Sequence, residues 1–539
     1  MSGLGRQGAA PSVTMASGRS ITWLLELRAA QRAGHPFVIW EPFDGPAEEW
    51  SYARFAAAVR AVAGGLAGRG VGPGDRLLLH MDNCPEFLLA WFACARIGAV
   101  AVCTNTRSSS EELAYFADHS GAAAALTQPH LAEVLAAAVP RLSWVAVTEP
   151  AGEEATGGAG GGEESFARLL GAEPHEGGSP PGPSWPAWIQ YTSGTTSRPK
   201  AVVLTHANAL WGARMGAVNQ GLSADDVHLV HLPLFHINAL SYSTLATLWA
   251  GGSIVLVPRF SASRFWDVSI RRGATWASMI PFCVNALASF EVPDDHRYRL
   301  WGNGFSSPPQ DALFGVRTIG WYGMTETVTH PVIDDVDSPG HPLGMGRPAP
   351  GYDIAVLGED GSPAAVGETG DLYVRGVPGL SLFAQYLHDE EATRSTVDED
   401  GWLRTGDRAT THEDGFLSFA DRVKDVLKVG GENVSASEVE WVVMAVPGVS
   451  EVAVVGAPHP MLDEVPVAFV IPDGDRPGLD AEVLRACRAR LAGFKVPAEV
   501  RIVAELPRST LNKIAKAELR GRLRAEAPRA GDAGGAYDR

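Results

Sequence analysis

The chain has 539 residues, more than one hydrophobic core ordinarily serves, so two or more domains are expected. A composition of 45% hydrophobic and 20% charged residues is that of a soluble globular enzyme. With 44 Lys and Arg against 62 Asp and Glu, the net charge of -18 argues against a sequence-independent nucleic-acid binder, which needs a cationic surface to neutralise phosphates.

Residues 1–18 lack an apolar stretch of signal-peptide length and read as a flexible tail. From residue 76 the pattern RLLLHM, a helix over 86–97, the strand AVAVC, a helix over 111–118 and AAAL alternates as βαβαβ, which predicts a parallel sheet covered by helices. Ser109 followed by Glu112 has capping-box spacing and marks a helix start. The apolar run 87–102 carries Arg96 and Gly98 and is too short for a membrane span; it splits into a helix and a strand. The five cysteines are scattered and odd in number, without metal or redox spacing, which reads as a reducing, cytoplasmic compartment.

Residues 151–184 turn rich in Gly, Pro, Glu and Ser and read as a surface loop between subdomains. The sequence YTSGTTSRPK at 191–200 then packs five Ser and Thr residues, a glycine and a lysine into one short loop, with VVL following as a strand. Such a loop turns backbone N–H groups, hydroxyls and an ammonium toward an anion, with polyphosphate the candidate, and a polar surface turn is the bland alternative. Compared with G-x-x-x-x-G-K-[ST], Pro199 replaces the second glycine and Ala201 the magnesium hydroxyl, so an ordinary kinase or ATPase loop is not expected. Beyond residue 421 the elements shorten to EVAVV, PVAFVI, an amphipathic helix over 480–492 and VRIV, a small α+β domain. The expected domains are 19–421 and a mobile 422–525, with a flexible tail over 526–539.

Taken with that loop, WYGMTET at 321–327, GWLRTGD at 401–407, DRVKDVLKVGGENVSA at 421–436 and PRSTLNK at 507–513 resemble, in order, the signatures of the adenylate-forming superfamily of acyl-CoA synthetases, luciferases and peptide-synthetase adenylation domains. The resemblance implies an α/β fold: a large N-terminal domain of parallel sheets with helices, a distorted β-barrel subdomain, and a small mobile α+β C-terminal domain. It implies ATP-dependent activation of a carboxylic acid to its acyl-AMP, then thioesterification with coenzyme A. Two anions must meet in that reaction, so the site must supply screening and orientation.

By the same resemblance Thr192, Ser193, Gly194, Thr195, Thr196 and Lys200 would hold the β- and γ-phosphates, and Gly302, Asn303, Gly304 and Tyr322 would flank adenine. Gly323 and Thr325 would reach the α-phosphate region, Glu326 would bind Mg2+, Asp407 the ribose, and Arg422 would assist there or at the phosphate. One carboxylate plus phosphate oxygens suffices for magnesium. Lys513 would be the lysine that stabilises the transition state, and Lys424 the pivot on which the small domain turns to bring 428–436 to the adenylate. WGNGF departs from the family's Gly-Gly-Ala, and Asn512 stands where glycine is usual.

His236 in LPLFHINAL would border the acyl carboxylate; a zinc site with His228 and His231 is disfavoured because strand alternation points them to different faces. YGMTETVTHPV, RGVPG and FKVPAEV resemble the crotonobetaine/carnitine CoA ligase group. Trp301, Phe305, 237–240 and Met324 read as an apolar acyl pocket suited to a hydrophobic small-molecule acid. An adenylation-only enzyme, a carrier protein as the acyl acceptor, a homodimer and a catalytically silent acyl- or nucleotide-binding protein stay open.

Overall fold

The computed structural model describes residues 16, 18–148, 163–176, 181–192, 199–338, 340–422, 426–429, 432–459, 462–491, 493–508 and 514–526. They fall into two compact units, one of Met1–Ile354, Tyr373–Arg404 and Gly415–Leu417, the other of Ala355–Leu372, Thr405–Asp414 and Ser418–Arg539.

The first unit contains two large sheets. In one, Pro186–Thr192, Val100–Cys103, Arg76–His80, Ala124–Thr127, Trp144–Val147 and Glu163–Ser165 run parallel in that spatial order. Lys200–Thr205 and then Gln385–Tyr386 extend it antiparallel at one edge. The expected βαβαβ run is thus present, with helices Pro85–Ile97 and Ser110–Ser120 as crossovers. Ser109 accepts from the Glu112 N–H at 3.3 Å, and the Glu112 carboxylate accepts from the Ser109 N–H at 2.9 Å, the reciprocal cap that its spacing predicts. Helix Pro85–Ile97 is apolar and buried at every position but Glu86 and Arg96, near its two ends, which are half-buried. Among the described residues no helix is long and apolar enough to cross a membrane.

The second sheet orders Arg317–Tyr322, Leu300–Asn303, Trp276–Ser278, Val227–Val230, Ser253–Leu256 and Pro36–Trp40 in parallel, with antiparallel strands at both edges. Asp353–Leu357, Thr369–Arg375, Trp402–Thr411 and Leu417–Arg422 form a separate four-stranded sheet, the subdomain expected as a distorted barrel.

One expectation is corrected. The stretch 151–184 is not loop throughout, because Glu163–Ser165 adds a strand and Ala167–Leu170 a helical turn, with Phe166 and Leu169 buried. Two apolar residues offset the ordering entropy that the surrounding Gly and Glu cannot. Its 151–162 and 177–180 portions lie outside the described residues.

In the second unit, the hairpin Val426–Val429 with Glu432–Ser435 joins Asp463–Pro472, Val449–His459 and Glu499–Ile502 in a five-stranded sheet. Side chains alternate across it as the pleat requires. Val452 and Val454 pack with helices Ala436–Met444 and Leu479–Arg490, whereas Ala453 and Val455 pack with Leu519 and Leu523 of Lys516–Glu526.

Candidate active site

The phosphate-loop motif is a hairpin, not a strand-to-helix turn. Thr192 pairs with Lys200 and Tyr191 with Ala201, so the ends of the loop are fixed by antiparallel pairing. Ser193, Gly194, Thr195 and Thr196 lie outside the described residues. The Lys200 ammonium sits over the Tyr386 ring, 4.5 Å from its centroid. The Tyr386 hydroxyl donates to Glu326 Oε1 at 2.8 Å. One phenol therefore joins two candidate residues that are far apart in sequence.

Strand Arg317–Tyr322 delivers the WYGMTET motif and pairs Gly302 with Ile319 and Asn303 with Gly320. This brings the two predicted adenine segments side by side. Gly302 is held to glycine because a Cβ there would overlap the Trp321 indole. Asn303 is buried, its Oδ1 accepts from the Gly304 N–H at 2.7 Å, and its Nδ2 donor has no protein partner among the described residues. A buried amide donor without a partner is costly, so this side chain fits a ligand acceptor such as an adenine nitrogen. Tyr322 is buried on the same motif, with its hydroxyl 3.9 Å from Met324 Sδ.

After Tyr322 the chain turns sharply. Gly323 faces Tyr242, and Thr325–Thr327 form one 3-10 turn. Val328 then adopts φ 65°, ψ -44°, with the Thr329 N–H donating to Thr327 O at 2.6 Å. That is a γ-turn on a β-branched residue, a strained conformation that persists only when its surroundings over-determine it. Here they do: Tyr352 Oη donates to Thr327 O at 2.7 Å, Ser241 Oγ to Val328 O at 2.8 Å, and Val328 is fully buried. The turn leaves Thr325 half-buried and Glu326 buried at 5% exposure.

His236 is half-buried at the entry to the π-helix Asn238–Leu245, a helix type frequent at functional sites. By contrast His228 stacks on Trp276 and His231 lies against Phe260 and Phe265; burial pulls both down to about 3, so they are neutral core residues. Among the described residues no group of three His, Cys, Asp or Glu could hold a metal. The zinc alternative has no support there.

In the second unit Asp407 is buried on strand Trp402–Thr411, where its N–H donates to Thr405 Oγ1 at 3.1 Å. Arg422 ends strand Leu417–Arg422. Lys424, Asn512 and Lys513 lie outside the described residues; Arg508, inside the 507–513 motif, and Ile514, just after it, bridge antiparallel.

With the sites in place, comparison with known proteins decides the family. The profile described as AMP-binding enzyme matches residues 25–387, and that of the AMP-binding enzyme C-terminal domain matches residues 438–513. The chain belongs to the AMP-binding enzyme family. A crotonobetaine/carnitine–CoA ligase of Escherichia coli is 33% identical to it over 90% of this chain and 95% of that protein. The solved anthranilate CoA ligase AuaEII with anthranoyl-AMP has the same fold at TM-score 0.84 and 24% identity, covering 96% of this chain and 99% of that one. The Bacillus subtilis o-succinylbenzoate coenzyme A synthetase with ATP and magnesium matches at TM-score 0.78 and 28% identity, covering 93% and 99%.

Within this AMP-binding enzyme the donor set suits magnesium rather than zinc: a single buried carboxylate, Glu326, with ligand phosphates left to supply other oxygens. Tyr386 was missed by sequence reasoning. It lies in FAQYL, outside the recognised motifs, and reaches Lys200 only because Tyr386 pairs with Val202 across the sheet edge. Side chains from the hairpin's own continuation hold that stretch: Asn208 Nδ2 donates to Leu380 O and Leu382 O, each at 2.7 Å, and Thr205 Oγ1 to Gly379 O at 2.8 Å.

Proposed function

We propose that this protein is an AMP-forming acyl-CoA ligase acting on a small-molecule carboxylic acid. A carboxylate oxygen attacks the α-phosphorus of ATP, an acyl–phosphate anhydride forms, and the α–β bond breaks to release pyrophosphate. The thiol of coenzyme A then attacks the acyl carbon, a thioester forms, and AMP leaves with the electron pair. The observation that carries this reading is the convergence of Lys200 and Glu326 on Tyr386, which puts a phosphate-seeking ammonium and a cation-seeking carboxylate at one place.

Each residue has a separable task. Thr192, Ser193, Gly194, Thr195, Thr196 and Lys200 hold the β- and γ-phosphates so that the leaving pyrophosphate is stabilised. Tyr322 and the Gly302–Asn303–Gly304 backbone flank adenine, with Asn303 Nδ2 as a donor to it. Gly323 lets the backbone turn toward the α-phosphate, where Thr325 donates. Magnesium supplies charge neutralisation between the phosphates when Glu326 holds it. Asp407 accepts from the ribose hydroxyls, Arg422 assists, and Lys513 offsets the charge that builds as the two anions meet. His236 borders the acyl carboxylate, and residues 422–525 turn about Lys424 between the two half-reactions.

Trp301 is buried in an aromatic cluster with Phe265, Trp266, Tyr298 and Phe314, so the acyl pocket proposed from Phe305, Met324 and 237–240 is what favours a hydrophobic acid. Pyrophosphate release from a panel of carboxylic acids, with and without coenzyme A, tests the reading. It expects acid-dependent release and an acyl-CoA product; acid-dependent release with no thioester except on a phosphopantetheinyl carrier would replace coenzyme A by a carrier protein.

A further inference from the structure

Gln385–Tyr386 is a two-residue strand whose pairing partner, Lys200–Thr205, begins with the phosphate-loop lysine. The Tyr386 side chain is 4% exposed. Its own N–H donates to Thr393 Oγ1 at 2.9 Å, and Phe383 packs on it at a centroid distance of 4.7 Å. The neighbouring Phe383 N–H donates to the Glu326 carbonyl at 2.8 Å, so the segment grips Glu326 by backbone as well as by side chain. A ring fixed this firmly can fix what touches it.

The two contacts act by different physics. The ring face attracts the Lys200 ammonium through its quadrupole. The hydroxyl satisfies one oxygen of a carboxylate whose burial would otherwise be costly, and thereby sets the plane in which Glu326 meets a cation.

We propose that Tyr386 is a positioning residue with two separable duties: its hydroxyl aims Glu326 at the metal, and its ring face aims Lys200 at the polyphosphate. The proposal rests on the ATP–magnesium reading above. Hydrogen-bonded partners of metal-binding carboxylates are worth about 10-fold or more in metal affinity. Tyr386→Phe, which keeps the ring, therefore weakens the metal and spares the metal-free nucleotide. Tyr386→Leu weakens both.

The test uses the full chain and a non-hydrolysable ATP analogue. Free Mn2+ is measured by electron paramagnetic resonance in the presence of saturating analogue, and analogue binding in EDTA is measured by calorimetry. Tyr386→Phe is expected to raise the Mn2+ dissociation constant about 10-fold while analogue binding in EDTA stays at the wild-type level. Unchanged Mn2+ affinity in Tyr386→Phe overturns the proposal, as does an equal loss of Mn2+ and metal-free analogue binding. A wild-type chain that binds the analogue in neither condition sinks the ATP reading itself, and so separates the two failures. Tyr386→Leu that binds the metal-free analogue at the wild-type level overturns the ring's duty, and the Phe variant decides the hydroxyl's duty even if the Leu variant does not fold.

Discussion

Adding one methyl group at Gly323 should injure the enzyme in a way that a second, distant change partly repairs. A Cβ at Gly323 would overlap the Tyr242 hydroxyl and would stand 2.9 Å from Thr329 O and 3.2 Å from Tyr242 Cζ. Overpacking of this kind costs about 1–3 kcal/mol. The strain falls within three residues of Thr325 and Glu326, and a displacement of about 1 Å at reacting groups costs up to about 10²-fold in rate. Gly323→Ala should therefore lower carboxylate-dependent ATP–pyrophosphate exchange by about 10- to 100-fold. The Tyr242 hydroxyl is buried and has no partner among the described residues, so Tyr242→Phe alone should be neutral or slightly stabilising. In the Gly323→Ala background, Tyr242→Phe removes the worst overlap and should recover about 1 kcal/mol, with the contact to Thr329 O remaining. The assay is a double-mutant cycle on exchange rate and melting temperature. If Tyr242→Phe changes Gly323→Ala no more than it changes the wild type, the reasoning fails.

His228, His231 and His330 are held neutral by burial, pulled down to about 3, whereas an unfolded chain would protonate them near its ordinary value. Stability is thus intact above about pH 6.5 and falls toward pH 3, by about 1.4 kcal/mol per pH unit for each such histidine. His231 has no partner on either ring nitrogen among the described residues and lies against Phe260 and Phe265, so His231→Phe should raise the melting temperature more at pH 5 than at pH 8. An equal shift at both would refute its being buried neutral. Lys513→Ala should lower acyl-AMP formation by about 10²-fold, read by pyrophosphate release, while thioester formation from supplied acyl-AMP persists; unchanged pyrophosphate release would remove Lys513 from the reaction. Lys424→Pro should impair one half-reaction and spare the other when the two are assayed separately, and equal activity in both would argue against a pivot there.

What was legible in the sequence was local. The reciprocal cap of Ser109 and Glu112 and the alternation of strand and helix from Arg76 to Thr127 follow from short-range rules, and the fold obeys them. The order of motifs carried the family because each motif is a contiguous run. Partnership across the fold was not legible. Nothing in FAQYL announces that Tyr386 will meet Lys200 and Glu326, since register between strands far apart in the sequence creates that meeting. The turn at Val328 was hidden for a related reason: a β-branched residue is the last choice for positive φ, and only the hydrogen bonds from Tyr352 and Ser241 make it tenable. Polar-rich composition misled over 163–170, where Phe166 and Leu169 suffice to order a short strand and a helical turn.

The central claim is that the acid's own oxygen is joined to the α-phosphorus. An accepted acid labelled with 18O in both carboxylate positions, turned over with ATP and coenzyme A, tests it by mass spectrometry of the products. The account predicts AMP carrying one 18O and pyrophosphate carrying none. Label in pyrophosphate or inorganic phosphate, with unlabelled AMP, would contradict it.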